Sequence, residues 1–309
     1  MNQEIPKYRC KSPVAFLVFN RPETTRRVFE EIAKARPHKL LVVADGPRRD
    51  KPGEVDLCAQ VRSIIANVDW DCEVLTDYAG ENLGCARRIA SGIDWVFTKV
   101  DEAIFLEDDC LPHPSFFQFC DEMLNHFRNN DAIMSISGDN FQFGARTSNY
   151  SYYFSRYVHV WGWASWRRAW SFYDAGMARW PELKQSRWLE GFMEDRRDIR
   201  FWRDIFDRTY RGKTGTWDYQ WLFACWLQYG LSVIPSVNLI SNIGFGSSAT
   251  HTGTDGGKLA AMETQEMKFP LSHPPFVLSD SQADDNTARL FFRPSGLSRV
   301  KQRIRQIIG

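Results

Sequence analysis

Ala103-Ile104-Phe105-Leu106-Glu107-Asp108-Asp109 is the stretch that decides the fold. Four apolar residues in a row describe a strand buried on both faces. Three carboxylates follow with no basic residue among them. Acids crowded at a strand end repel one another in a low-dielectric setting unless a cation neutralises them. Open α/β sheets bind ligands outside the carboxyl ends of their strands. The cluster therefore points to a divalent metal and an anionic, phosphate-bearing ligand. Taken alone, the triplet also suits a solvated turn after a strand.

Upstream of it the sequence alternates strand and helix patterns. Residues 14–19 (VAFLVF) describe a buried strand, and Pro22 suits the first turn of a helix carrying Thr25, Val28, Phe29 and Ile32 at helical spacing. A second strand spans 40–44 and ends in Asp45-Gly46-Pro47. A helix over 54–66, a strand over 72–75 and a helix over 84–97 follow, with Asn82 as the expected cap of the last. Downstream of the acids, Pro114 opens a helix with Phe116, Phe119, Cys120, Met123, Leu124 and Phe127 on one face, and 133–136 is a further strand. This alternation predicts an α/β sheet with right-handed crossovers.

Beyond about residue 140 the rhythm stops. Residues 150–157 alternate like a half-exposed strand, 160–170 are crowded with Trp, and helices are expected near 188–210 and 217–229. Residues 244–257, rich in Gly, Ser and Thr, read as a long mobile loop with the makings of a lid. Residues 279–288 are polar and acidic like a linker. Leu297, Val300, Ile304 and Ile307 then recur at helical spacing among Arg299, Lys301, Arg303 and Arg305. Such a basic amphipathic helix suits peripheral contact with an anionic membrane, or docking on its own protein. The expected organisation is a ligand-binding α/β half over 1–140, an aromatic-rich half over 141–278, and a linker with its basic helix over 279–309.

The totals narrow the class. At 309 residues, 43% hydrophobic and 25% charged, the chain has the composition of a globular protein with a substantial core. A net charge of +1 argues against nucleic acid as a partner. Twelve Trp and 22 Phe imply either a large aromatic core or a surface that stacks sugars and bases. Seven cysteines, an odd number without C-x-x-C or zinc spacing, suggest a reducing compartment. The apolar run 14–19 is too short for a membrane span or a signal sequence, so a cytoplasmic protein is expected, with the basic helix as its route to the inner membrane face.

Together these motifs resemble a glycosyltransferase of the GT-A fold, nearest the N-acetylglucosaminyltransferase I type and its bacterial relatives. Phe19-Asn20-Arg21-Pro22 resembles that family's first strand end, and Ala44-Asp45-Gly46 its second. Asn82-Leu83-Gly84 with Arg87-Arg88 resembles the Asn-x-Gly-x-x-x-Arg helix start of many GT-A enzymes. Glu107-Asp108-Asp109 matches the Glu-Asp-Asp form of the DxD metal motif. The likeness covers about residues 13–128 and continues more loosely through Asp218 and His251. It implies a Rossmann-like mixed sheet flanked by helices, with an aromatic-rich acceptor half. It also implies a nucleotide-diphosphate sugar as donor, UDP-sugars favoured, and Mn2+ or Mg2+ as cofactor. Asp109 would ligate the metal, Asp108 would reach the ribose or a metal-bound water, and Glu107 would orient its neighbours. His251 would contact the pyrophosphate from the loop.

The remaining candidates follow from chemistry. Arg21 offers a planar cation to phosphate or a base edge, or else pairs with Glu23. Asp45 would accept the imide N–H of uracil, or simply begin an Asp-Gly turn. Asn20 and Asn82 join the donor-binding set through their motifs, and Arg88 rather than Arg87 is expected to face the cleft. Asp218, in Thr216-Trp217-Asp218-Tyr219-Gln220, suits the base that deprotonates an acceptor hydroxyl, and since inverting GT-A enzymes commonly keep that base beyond the acidic motif, the resemblance implies inversion. An acid in the first helical turn is also favoured by the dipole alone. Trp217 and Trp221 would wall it from water. Residues 160–166 would stack an acceptor sugar or fill the core, His159 has the same two readings, and His113 belongs to a helix start. The acceptor would be a glycan, a lipid-linked glycan or a protein. Two other functions fit in part. A sugar-nucleotide nucleotidyltransferase wants a Gly-rich loop that 14–26 lacks, and a non-catalytic carbohydrate- or nucleotide-binding protein needs no base.

Overall fold

The computed structural model of the chain describes residues 8–145, 149–244 and 259–293. Its first half is β1 (Val14–Val18), α1 (Pro22–Ala35), β2 (Lys39–Ala44), α2 (Glu54–Ile65), β3 (Glu73–Tyr78), α3 (Cys85–Lys99), β4 (Glu102–Glu107), β5 (Cys110–Pro112) and α4 (Ser115–His126). Then come β6 (Ile133–Ser137), β7 (Tyr152–Ser155), β8 (Trp163–Trp166), α5 (Arg167–Trp170), α6 (Trp180–Gln185), α7 (Arg196–Tyr210), α8 (Asp218–Leu227), β9 (Leu231–Pro235), β10 (Ile240–Asn242) and α9 (Ser281–Thr287).

Eight strands form one mixed sheet in the order β3-β2-β1-β4-β8-β6-β9-β7, flanked by helices. The first four are parallel, and β8 enters antiparallel between β4 and β6, so a single sheet runs through both halves of the sequence. Register positions the site. Val18 pairs with Ala44, and Leu17 pairs with Glu107, so Phe19, Asp45 and Asp108 leave the sheet side by side at its carboxyl edge. A separate ribbon, β5 with β10, returns the chain to that edge.

Residues expected on the buried faces lie there. Thr25, Val28, Phe29 and Ile32 face inward on α1, as do Phe116, Phe119, Cys120, Met123 and Leu124 on α4. One apolar layer packs between the sheet and α1, α2 and α4, and another lies beneath α3, α5 and α8. A third, between α6, α7 and α8, is built from Trp180, Trp202, Phe206, Phe223 and Trp226. Trp163 stacks on Phe105 at 4.6 Å, and Trp166 is buried, so much of the 160–166 cluster is core. The seven cysteines are free.

Five local expectations change. The strand expected over 72–75 begins at Glu73 and runs to Tyr78, because six register pairs with β2 hold it, although its polar alternation marks an exposed edge. Asn82 does not cap α3. Gly84 precedes Cys85 there without a side-chain cap, while the Asn82 amide bonds Asp45 and the Gly46 carbonyl. Residues 152–155 are fully buried rather than half-exposed. The cause is the fourth correction: 279–288 is no linker. Ser279 bridges Phe154, Asp280 caps α9 through the Ala283 amide, and Asp284 is buried against β7. Polarity misled because the helix buries satisfied polar groups. Asp284 accepts from Ser155 Oγ at 2.5 Å and Arg156 Nε at 2.9 Å. The helix near 188–210 is shorter than expected and starts at Arg196, capped by Asp195.

Of the loop expected over 244–257, residues 245–257 with His251 among them lie outside the described residues, as does the basic helix expected over 297–307. Among the described residues no helix is long and apolar enough to cross a membrane.

Candidate active site

A cleft of about 610 Å³ opens at the carboxyl edge of the parallel strands. Glu107, Asp108 and Asp109 line it, together with Arg21, Asp45, Asn82, Arg88 and Asp218. Two other depressions lie elsewhere, one beside residues 47–53 and one at the amino ends of the strands, and neither touches the acids.

The acids are held by the local chain path. β4 ends at Glu107, and a two-residue turn leads into β5. The Asp108 carboxylate accepts from the Phe19 amide at 3.1 Å, which ties it to the end of β1. Asp109 accepts from Arg21 Nη1 at 2.7 Å, and the same nitrogen stands 3.6 Å from Asp108. Arg21 thus pairs with the cluster rather than with Glu23. Burial, and then the charges of Asp109 and Asp108, push Glu107 up to about 8. Burial and Asp109 push Asp108 up to about 7, with Arg21 opposing.

The β5–β10 ribbon brings a second segment onto Asp109. The Ile243 amide donates to the Asp109 carbonyl at 2.8 Å. A Cβ on Gly244 would stand 2.0 Å from Asp109 Oδ2, so only glycine fits. Ala261 N bonds the Asn242 carbonyl at 3.0 Å. Both described flanks of 245–258 therefore meet beside the acids.

Asp45 has a different place from the one its motif suggests. Its Oδ1 accepts from the amides of Gly46 and Leu83, and its Oδ2 from Asn82 Nδ2 and the Gly84 amide, at 2.8–3.1 Å. Four donors fill the usual acceptor positions of a carboxylate. Asp45 therefore fixes the Asn82–Gly84 turn and with it the start of α3. A Cβ on Gly46 would meet the Glu81 backbone at 2.5 Å, so this junction is close-packed. Asn20 likewise turns to the protein, donating to Glu54 Oε1 at 2.8 Å. Glu54 also holds Arg48, whose guanidinium stands 5.6 Å from the centre of the Phe19 ring. Arg87 is exposed, and Arg88 lines the cleft but is buried. Its guanidinium clamps the ends of β2 and β3 through the Ala44 and Asp77 carbonyls and the Asp77 carboxylate.

Residues 214–219 supply another wall. Asp218 is the first residue of α8, and Thr216 Oγ1 donates to its Oδ1. Its charge contributes to the raised pKa of Glu107, which links the carboxylate on α8 to the cluster on β4. Trp217 and Trp221 are buried beside it and pack with Trp163 and Trp170. Cys85, which sequence reasoning missed, is the first residue of α3 and lines the cleft. Burial and the surrounding carboxylates push its thiol up to about 12, so it is neutral. Its one sequence mark is its position directly after Gly84. Trp161 also lines the cleft. Its backbone amide bonds Asp139 at 3.2 Å, and Asp139 in turn pairs with His159 Nδ1 at 2.7 Å. His159 is buried behind this wall, and His113 accepts from Ser115 at the start of α4.

Among the described residues no three His, Cys, Asp or Glu side chains are arranged to hold a metal by themselves. The donor set nonetheless fits a hard divalent cation. It consists of closely spaced, buried carboxyl oxygens whose mutual repulsion a cation would relieve, and Mg2+-like ions complete such short sets with water and phosphate oxygens.

A scan against protein-family models gives no match, and neither does a search of curated proteins. Solved structures do give matches. A mannosyltransferase from Pyrobaculum calidifontis in complex with GDP-Man and Mn2+ is 15% identical at TM-score 0.37, over 53% of this chain and 46% of that one. A UDP-glucose pyrophosphorylase complexed with UDP-glucose is 13% identical at TM-score 0.26, over 47% and 62%. A CMP:2-keto-3-deoxy-manno-octonic acid synthetase complexed with CTP is 12% identical at TM-score 0.33, over 65% and 86%. The chain spans less than two thirds of the length of the first two.

Proposed function

We propose that this chain is a metal-dependent glycosyltransferase that moves a sugar from a nucleoside diphosphate to an acceptor hydroxyl, with inversion at the anomeric carbon. The observation that carries the proposal is the meeting in one cleft of the Glu107–Asp109 cluster, the Arg21 cation and the separate Asp218 carboxylate. The resemblance of the four strand-end and helix-start motifs to N-acetylglucosaminyltransferase I-type enzymes supports it, and makes a UDP-sugar the expected donor.

Asp109 would hold Mn2+ or Mg2+, with Asp108 and Glu107 beside it, and a bound ion there supplies positive charge to a departing diphosphate. Arg21 adds a fixed cation suited to phosphate oxygens. The amino end of the 15-residue α3, held toward the cleft by Asp45, also favours an anion. Asp218 accepts the proton of the acceptor hydroxyl as that oxygen attacks. The Thr216 hydroxyl orients it, and Trp217 keeps solvent from its side. Neutral Cys85 adds no competing charge where the sugar would lie. The β1–α1 connection is only Phe19-Asn20-Arg21, too short to wrap a triphosphate in a Gly-rich loop, so a nucleotidyltransferase ranks below this reading.

The test is a panel of UDP-, GDP- and CDP-sugars with and without Mn2+. One donor class should raise the melting temperature with the logarithm of its concentration, only when metal is present, and should be slowly cleaved to the nucleoside diphosphate. Asp109→Ala should lose both effects. Asp218→Asn should keep donor binding while turnover falls by about 10²–10⁴. Pyrophosphate release from a nucleoside triphosphate would instead identify a nucleotidyltransferase. Donor binding with no turnover in either protein would identify a binding module.

A further inference from the structure

We infer that Arg21 is a resident cation occupying the metal-binding carboxylate, so that divalent metal and nucleoside diphosphate each bind weakly alone and strongly together. The inference rests on the function proposed above and concerns how that site is filled.

Arg21 Nη1 lies 2.7 Å from Asp109 Oδ2 and 3.6 Å from Asp108 Oδ1. The three side chains are only 17%, 16% and 10% exposed, so solvent screens this pair less than a surface ion pair. The backbone of Arg21 is fixed. Its carbonyl accepts from the Thr25 amide at 3.0 Å and from Thr25 Oγ1 at 2.6 Å, at the start of α1. Its guanidinium is therefore the part that can change partner.

Charge decides when it does so. The Asp109 carboxylate that a dication would take is already ion-paired with Arg21 at 2.7 Å. A dication could bind there only by sharing Asp109 with Arg21, and two cations on one carboxylate repel. A diphosphate offers the guanidinium a planar oxygen edge as good as the carboxylate it leaves. Arg21 then moves from acid to phosphate, and Asp109 becomes available. Each ligand removes the obstacle to the other, which is a reciprocal coupling free energy. Without nucleotide, Arg21 opposes metal. With it, Arg21 helps.

The experiment measures Mn2+ affinity from the free-ion EPR signal of the full chain, alone and with UDP, GDP or CDP, for wild type and Arg21→Met. In wild type a diphosphate should tighten Mn2+ about tenfold or more. Arg21→Met should bind Mn2+ alone about tenfold tighter than wild type does and should lose most of the diphosphate effect. A gain of affinity is not what structural damage produces. Equal or weaker Mn2+ binding by Arg21→Met, with wild-type coupling to diphosphate intact, overturns the inference and leaves the proposed function standing. No Mn2+ binding by wild type with any diphosphate removes both. A second readout needs no variant. Phenylglyoxal labelling of Arg21, followed by mass spectrometry, should speed up in saturating Mn2+ and slow again on adding diphosphate. Unchanged labelling in Mn2+ overturns the inference as well.

Discussion

Glu107 and Asp108 are where pH acts on this site. Burial and mutual repulsion raise both, to about 8 and about 7. In an unfolded chain both ionise near pH 4. Between those limits the folded, metal-free protein holds protons that the unfolded chain has released. Their contribution to stability is therefore largest in acid and is lost as pH rises from about 4 to about 8. Glu107→Gln, which needs no charge, should be more stable than wild type at pH 8 and should match it at pH 4. Calorimetric melts at the two pH values check this, and Mn2+ with diphosphate should narrow the difference by favouring the ionised wild type. Gly244 is the second residue-scale test. The Cβ of Gly244→Ala would stand 2.0 Å from Asp109 Oδ2, and the displaced carboxylate should weaken Mn2+-dependent donor binding about a hundredfold. Titration calorimetry reads that loss. The sequence made the acids, Arg21 and Asp218 legible because each stands at an element end in a recognisable motif. Three features were not legible: the four donors around Asp45, the thiol of Cys85 in the cleft, and the contact of Gly244 with Asp109. Each depends on chain segments that meet only in three dimensions.

Elements with a long, regular apolar pattern were legible. α1 and α4 carry one buried face each, and β1, β2 and β4 are built on apolar runs (14–18, 40–44 and 103–106) buried on both sides. β3 was misplaced because an edge strand paired on one side needs few apolar residues. β7 and α9 were misjudged together, since each conceals the other. One face of the aromatic strand, Tyr153 and Ser155, is covered by a helix whose buried residues include Ala283, Asp284 and Thr287. Composition does not reveal that a buried acid has partners. This pairing makes a prediction at the element scale. Asp284→Ala leaves Arg156, only 25% exposed, without its carboxylate and should cost about 3 kcal/mol or more in urea unfolding. Phe276→Ser, in an exposed residue nearby in sequence, should be close to neutral.

For the whole molecule, the sheet has two borders of different character. β3 is open to solvent along its length, while β7, at the other end, is covered by the segment from Ser279 onward. A chain ending at Leu278 would uncover Tyr153, which packs with Ala283, and would leave β7, paired only with β9, as an open edge and a template for intermolecular pairing. Such a truncation should elute as aggregate in size-exclusion chromatography rather than as a trimmed monomer. The covering segment ends in a grip of its own. Arg293 is bonded to both oxygens of Asp198 at 2.6 Å and to Asp285 at 2.7 Å. A cable is clamped where it enters an instrument so that a tug on the lead never reaches the circuit. The guanidinium of Arg293 does the same where the described chain ends: it fastens the segment after α9 to Asp198 on α7, far along the chain from the acids on β4.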